Sequence, residues 1–244
     1  MPQRRTRIAS HRGGAILWPE NSPTAFRASA ALPVEQVELD VHLSADDAVV
    51  VIHDALLDRT TEARGPVRAR SLAELRRIRL KGTDGETVPT LAEVADIFRP
   101  TPIALRVELK ADAEGRPYPG LLPRTLAVLE EAGLPGRVAI TSFQAGLAAE
   151  AVGLVEEVIW LVSPPVLRDT GLAGAIGAAR AQRIPGLGLH ASLCDAAAVA
   201  AVREAGLAPG AWAVNGEETI RRILELGVEV FTTDDPLTAL RLRG

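Results

Sequence analysis

Short runs of β-forming residues alternate with helix-length patterns along almost the whole of this chain, and that alternation decides what it can fold into. Strand-like runs fall near residues 7–10, 36–41, 48–52, 103–108, 138–142, 157–162, 186–189, 210–214 and 229–232. Helix patterns fall near 23–31, 121–132, 146–152, 172–181, 196–205, 217–226 and 236–241. Several of these end at glycine, as in Ala132-Gly133, Ala205-Gly206 and Leu226-Gly227, where a left-handed residue closes the last turn. Strands separated by helices pair in parallel, with the helices as crossovers. About eight such units in 244 residues fit a closed (β/α)8 TIM barrel, an α/β fold of usually about 250 residues. A doubly wound open sheet has the same alternation and is the structural alternative.

One stretch, about 55–90, departs from the rhythm. It is rich in charge and in turn signals such as Arg64-Gly65-Pro66, Lys81-Gly82 and Asp84-Gly85. Within it, Ser71-Leu72-Ala73-Glu74 is a capping box that opens a short helix. Its apolar residues are too few for a core of its own. The expectation is one barrel domain over 1–244, with a small insertion after the second strand region.

Composition narrows the setting. A formal charge of −4 gives no electrostatic reason to expect nucleic acid or an anionic membrane as partner. The start, Met1 to Arg7, is basic, but Ile8-Ala9-Ser10 is too short for the apolar region of a signal peptide. No apolar run approaches the roughly 18 residues of a membrane span, so stable membrane insertion is not expected. A single cysteine, Cys194, excludes an internal disulfide framework. A cytoplasmic protein is the expectation, and its oligomeric state is open.

Chemistry-bearing residues gather at predicted strand ends. Glu38 and Asp40 lie two apart on one strand, so their carboxylates share a face. Such neighbours repel unless a cation or a proton joins them, and an all-oxygen site suits a hard divalent ion, Mg2+ or Ca2+. Glu108 closes another strand and would complete a three-carboxylate site if the strand ends converge as in a barrel. Lys110, one of two lysines with Lys81, is open to two roles: a phosphate contact, or an ion pair with Glu108. His11 and His53 also follow strands, and two histidines can divide general-acid and general-base duty near neutral pH. Arg12 is placed to clamp a phosphate bidentately, and Gly13 and Gly14 let the backbone approach an anion. His42 continues the Glu38–Asp40 face, and His190 ends a strand where it would line a substrate pocket.

The ordered series of these motifs resembles the glycerophosphodiester phosphodiesterase family. His11-Arg12-Gly13 with Pro19-Glu20-Asn21, Glu38-Leu39-Asp40-Val41 and His53-Asp54 are similar to its opening motifs. Leu57-Asp58-Arg59-Thr60-Thr61 and Val88-Pro89-Thr90-Leu91 bracket the insertion that the family carries after the second histidine. Val107-Glu108-Leu109-Lys110, Ser142-Phe143, Trp212-Ala213-Val214-Asn215 and Thr233-Asp234-Asp235-Pro236 follow in order. Ser22 and Ala213 stand where the family commonly has threonine, departures that spare the chemistry.

The resemblance implies a (β/α)8 barrel that hydrolyses glycerophosphodiesters to an alcohol and glycerol 3-phosphate, within lipid and glycerol metabolism. It implies Glu38, Asp40 and Glu108 as ligands of Mg2+ or Ca2+, and His11 and His53 as the acid–base pair. Arg12 and Lys110 would hold phosphate, with Glu20 and Asn21 orienting Arg12 or a ligand. Phe143 and Trp212 would shape the pocket rim, unless they only pack under a loop. Two rival readings remain. A lysophospholipase D-type or sphingomyelinase D-type enzyme would need an apolar mouth, which eight aromatic residues do little to supply. A non-catalytic phosphate-ligand barrel would be expected to have lost a histidine or carboxylate, and none is missing.

Overall fold

Eight parallel strands close on themselves in the computed structural model, which describes residues 5–134 and 136–244. The basic start of the chain therefore lies partly outside the described residues. Around the barrel run β1 (Arg7–Ser10), β2 (Gln36–Leu43), β4 (Ala104–Leu109), β5 (Val138–Ser142), β6 (Glu157–Val162), β7 (Gly186–His190), β8 (Ala208–Trp212) and β9 (Val230–Thr233). Both β2 and β9 pair in parallel with β1, which closes the ring and excludes the open doubly wound sheet. The ninth strand, β3 (Val49–Val51), is antiparallel to β2, with Val41 opposite Val51, and stands outside the ring. The chain therefore climbs past the barrel rim along β2 and returns along β3, and His53 reaches the site from this returning strand.

The crossovers are α1 (Pro23–Ala30), α3 (Leu91–Phe98), α4 (Leu121–Glu131), α5 (Ala145–Glu150), α6 (Pro164–Ala181), α7 (Ala196–Glu204), α8 (Glu217–Leu226) and α9 (Pro236–Arg243), with α2 (Leu72–Leu75) inside the insertion. Helix α3 is absent from the sequence-based reading. Thr90 accepts from the Glu93 amide while Glu93 accepts from the Thr90 amide, a full capping box, and Leu91, Val94, Ala95 and Phe98 bury one face. Phe98 meets Phe26 of α1 edge-to-face at 6.1 Å, locking the two crossovers that flank β2. Helix α6 begins at Pro164, earlier than the sequence pattern indicated, and bends at Gly171 (φ 67°). No helix among the described residues is long and apolar enough to cross a membrane.

The insertion also differs from expectation. Val50, Ile52, Leu57, Val67, Leu75, Leu80 and Val88 form a small buried cluster apart from the main core. Two of its members come from the β3 segment, so the loop is anchored through that strand. This gives the segment carrying His53 a firm footing.

Every residue of β2 is buried. Val37, Leu39, Val41 and Leu43 join the core under the helices, so Gln36, Glu38, Asp40 and His42 face the other way by strand alternation. The lumen is divided. At its lower end Arg106 donates to Gln36 and Glu157, and Glu157 also accepts from Arg7 and Gln36. Higher up, Ala9, Ile159 and Val230 cluster with Leu161. Gly188 makes room for them, since a Cβ there would lie 2.7 Å from the Leu161 side chain.

Candidate active site

The barrel gathers the predicted groups at the C-terminal ends of its strands. A cavity of about 230 Å3 is lined there by His11, Arg12, Glu38, His53, Glu108, Phe143 and Trp212, among others. Phe143 and Trp212 meet edge-to-face at 5.0 Å and form one wall. The indole Nε1 of Trp212 is buried without a hydrogen-bond partner.

Glu38, Asp40 and Glu108 are all buried, and each offers an oxygen within 4.8 Å of the others. Register explains the convergence: in the β2–β4 pair Asp40 is level with Glu108, and Glu38 is one pleat below. Burial and the charge of Asp40 push the Glu38 carboxyl well above its ordinary range. Asp40 is displaced the other way, because Lys110 and Arg12 outweigh the burial that would raise it. One Asp40 oxygen, Oδ1, makes no hydrogen bond although it lies 3.1 Å from Lys110 Nζ. Three buried carboxylates, one with an unpartnered oxygen, fit a hard cation and fit poorly with being left alone.

The strand residues are matched by a loop in an uncommon conformation. Arg12 sits at φ 50°, ψ 31°, in a single helical turn directly after β1. There its backbone N–H donates to Glu38 Oε2 at 3.0 Å, and its guanidinium reaches Glu20 at 3.1 Å and Asp40 at 3.3 Å. Gly13, also at positive φ, packs so closely on α1 that a Cβ would fall 2.8 Å from the Ala25 Cβ. Helix α1, capped by Ser22 and opened by Pro23, can approach this far because Gly13 has no side chain. Asn21 Nδ2 donates to Asp40 Oδ2 at 2.8 Å. Glu20 thus sits on Arg12, whereas Asn21 orients a carboxylate.

Both histidines are fixed from behind by carboxylates. His11 Nδ1 donates to Asp234 Oδ1 at 2.6 Å, and its Nε2 lies 3.8 Å from Glu38. Asp234 is itself held by Asn215, which donates through Nδ2 and accepts the Asp234 amide through Oδ1. Burial would lower the His11 pKa, but Glu38 and Asp234 outweigh it and the net shift is upward. His53 Nδ1 donates to Asp54 Oδ1 at 2.6 Å. Since a carboxylate only accepts, Nδ1 carries the proton in both rings and Nε2 is left for the cavity.

The remaining predicted residues take other places. Lys110 Nζ lies 2.6 Å from Glu108 and 3.1 Å from Asp40, so it is engaged with the carboxylates and not held free for phosphate. His190 bonds Ser192 and packs edge-on against Trp212 at 4.6 Å, and is not among the residues that line the cavity. His42 is buried between Tyr118 Oη and the His53 carbonyl, which keeps it off the carboxylate cluster. Burial depresses its pKa to about 4, so it stays neutral and supports the His53 backbone. Asp54, Asp234, Asn215 and Tyr118 have roles here that the sequence reading assigned to none of them. Asp54 was findable as the carboxylate next to a strand-end histidine; Tyr118 lies 76 residues from its partner and carries no local signal.

The arrangement can be set beside known proteins. The model of the glycerophosphoryl diester phosphodiesterase family matches residues 11–238. A candidate glycerophosphoryl diester phosphodiesterase of Agrobacterium tumefaciens superposes with a TM-score of 0.94 at 37% identity, covering 98% of this chain and 97% of its own. A phosphodiesterase of Oleispira antarctica, solved in complex with the product sn-glycerol-3-phosphate, superposes at 0.79 with 25% identity, covering 97% and 96%. A glycerophosphodiester phosphodiesterase of Caldanaerobacter subterraneus subsp. tengcongensis is 28% identical over 245 residues, 98% of each chain.

Proposed function

Since the chain belongs to the glycerophosphoryl diester phosphodiesterase family and is a phosphoric diester hydrolase, we propose that it cleaves glycerophosphodiesters with a histidine pair beside a divalent cation. The products are an alcohol and glycerol 3-phosphate. The observation that carries this reading is the flanking of one buried three-carboxylate cluster by two histidines, each with Nδ1 fixed on a carboxylate and Nε2 free.

Glu38, Asp40 and Glu108 would hold the cation, which when bound supplies charge neutralisation of the diester and polarisation of a phosphoryl oxygen. Arg12 contributes a guanidinium for a phosphate oxygen, and Glu20 and Asp40 fix its plane. Lys110 balances the carboxylate charge and so keeps the site close to neutral once a phosphate enters. One histidine takes the proton of the attacking oxygen as its bond to phosphorus forms. The other gives a proton to the ester oxygen as that bond breaks, so the alcohol leaves neutral. Phe143 and Trp212 wall part of the cavity.

The test is release of glycerol 3-phosphate from glycerophosphocholine. Turnover should vanish in EDTA and return with Mg2+ or Ca2+; full activity in EDTA would refute the metal-dependent reading.

One observation favours a second reading of the substrate. Among the described residues, all of the exposed large apolar side chains except Leu154 stand in loops or first helical turns that follow β1, β3, β5, β6, β7 and β9. Ile16, Leu17, Leu56, Phe143, Leu193 and Leu237 are among them, and Phe143 lines the cavity itself. Clustering of this kind is what a lysophospholipase D-type substrate with an acyl chain would use. Parallel assays should still give a higher kcat/KM for glycerophosphocholine than for lysophosphatidylcholine. A reversal of that order would identify the rim as an acyl-chain platform.

A further inference from the structure

We propose that Arg59, a residue of the insertion, is a positioning residue that ties the two halves of the catalytic constellation together. The inference rests on the reading above, in which His53 moves a proton and Arg12 holds phosphate. Arg59 Nε and Nη2 donate to the two oxygens of Asp54 at 2.7 and 3.0 Å. Its Nη1 and Nη2 donate to the two oxygens of Glu20 at 2.7 and 2.8 Å. Both contacts are fork-to-fork, a geometry that the single ammonium of lysine lacks.

Each of these carboxylates already holds a site residue. Asp54 orients the His53 ring, and Glu20 steadies the Arg12 guanidinium. One side chain therefore closes an unbroken series, His53–Asp54–Arg59–Glu20–Arg12, across segments that arrive from β3 and from β1. The backbone is pinned too, because Lys81 Nζ donates to the carbonyls of Asp58 and Arg59 at 2.7 and 3.2 Å.

Stability alone is a poor explanation for this network. The Arg59 side chain is 48% exposed, and ion pairs in such positions add little to the fold. What the four bonds supply is orientation. Asp54 is drawn down to about 2, first by its bond to Arg59, and stays a fixed acceptor for His53. Without Arg59, Asp54 is free to turn toward water, and Glu20 keeps one 3.1 Å contact with Arg12 in place of a rigid frame.

The experiment compares Arg59→Ala and Arg59→Lys with Asp54→Asn, Glu20→Gln, His53→Ala and Arg12→Ala in steady-state turnover of glycerophosphocholine. Arg59→Ala should lower kcat by about 10²-fold, the scale of a small misplacement of a catalytic group, and should also raise KM. Asp54→Asn should act chiefly on kcat and Glu20→Gln chiefly on KM. The Arg59→Ala and Asp54→Asn effects should not add, because they interrupt one series. Arg59→Lys should recover less than a tenth of the lost kcat, with Tm unchanged within a few degrees in every Arg59 variant. Arg59→Ala with kcat and KM within twofold of the parent overturns the inference, as does a loss that merely follows a fallen Tm. If His53→Ala and Arg12→Ala turn over normally, it is the functional reading that has failed. The His53 ring then decides for Arg59: its downfield Nδ1–H resonance should be sharp in the parent and lost in Arg59→Ala, and its persistence overturns the inference.

Discussion

Replacing His11 or His53 by alanine should lower kcat for glycerol 3-phosphate release by roughly 10²–10⁴-fold, the range that one positioned acid or base contributes. The fold should survive, because neither ring supports the core: their side chains are 21% and 29% exposed. The two variants should also differ in what they leave behind. Loss of His11 frees Asp234, which Asn215 still holds, whereas loss of His53 leaves Asp54 fully engaged with Arg59. Asp234 without its imidazole is thus the less satisfied carboxylate, and His11→Ala should be the more readily rescued by added imidazole. The measurements are kcat with and without imidazole, and circular dichroism for the fold. Near-parental kcat in either variant would remove that histidine from the acid–base pair.

Glu38→Gln should abolish activity and yet raise the thermal stability of the metal-free protein. In the folded chain Glu38 titrates above its ordinary value, first because it is buried and then because Asp40 lies beside it. A carboxyl whose folded pKa exceeds its unfolded pKa binds more protons in the native state across the window between the two values. Stability therefore falls as pH rises through that window, and each unit of the shift costs about 1.4 kcal/mol. Glutamine cannot ionise, so it removes this cost while accepting the Arg12 amide through its carbonyl in place of Glu38 Oε2. In EDTA the variant should melt higher than the parent at pH 8, with the gap narrowing toward pH 5. Added Mg2+ or Ca2+ should raise the parent and leave the variant nearly unmoved. A variant that melts below the parent in EDTA at pH 8 contradicts the account. The expected higher melting of the variant would mean that the site trades stability for function at a single carboxylate.

How far such a site can be read from sequence depends on whether its geometry follows from chain periodicity. Glu38 and Asp40 share a face because they are two apart on a strand, and β2 obeys that rule. Glu108 and Lys110 are also two apart, and the pairing at 2.6 Å follows from the same rule; a phosphate contact was the other open role. The barrel itself was legible in the alternation of elements. The antiparallel course of β3 was not, since a run of three valines reads alike in either direction. Helix α3, just past the insertion, went unread although the Thr90–Glu93 capping box marks its start. Arg12 at positive φ, and the link from Arg59 to Glu20 39 residues away, belong to the assembled molecule. No local pattern announces a bond between segments that meet only after the barrel closes.

The charged lower end of the lumen has a consequence for traffic through the enzyme. Arg106 borders the catalytic cavity from below, while Glu157 lines a separate depression at the opposite end of the barrel. Their ion pair, braced by Arg7 and Gln36, stands between the two spaces like a stopper. The reaction chamber therefore has one door. Substrate enters by it and both products leave by it, at the C-terminal ends of the strands.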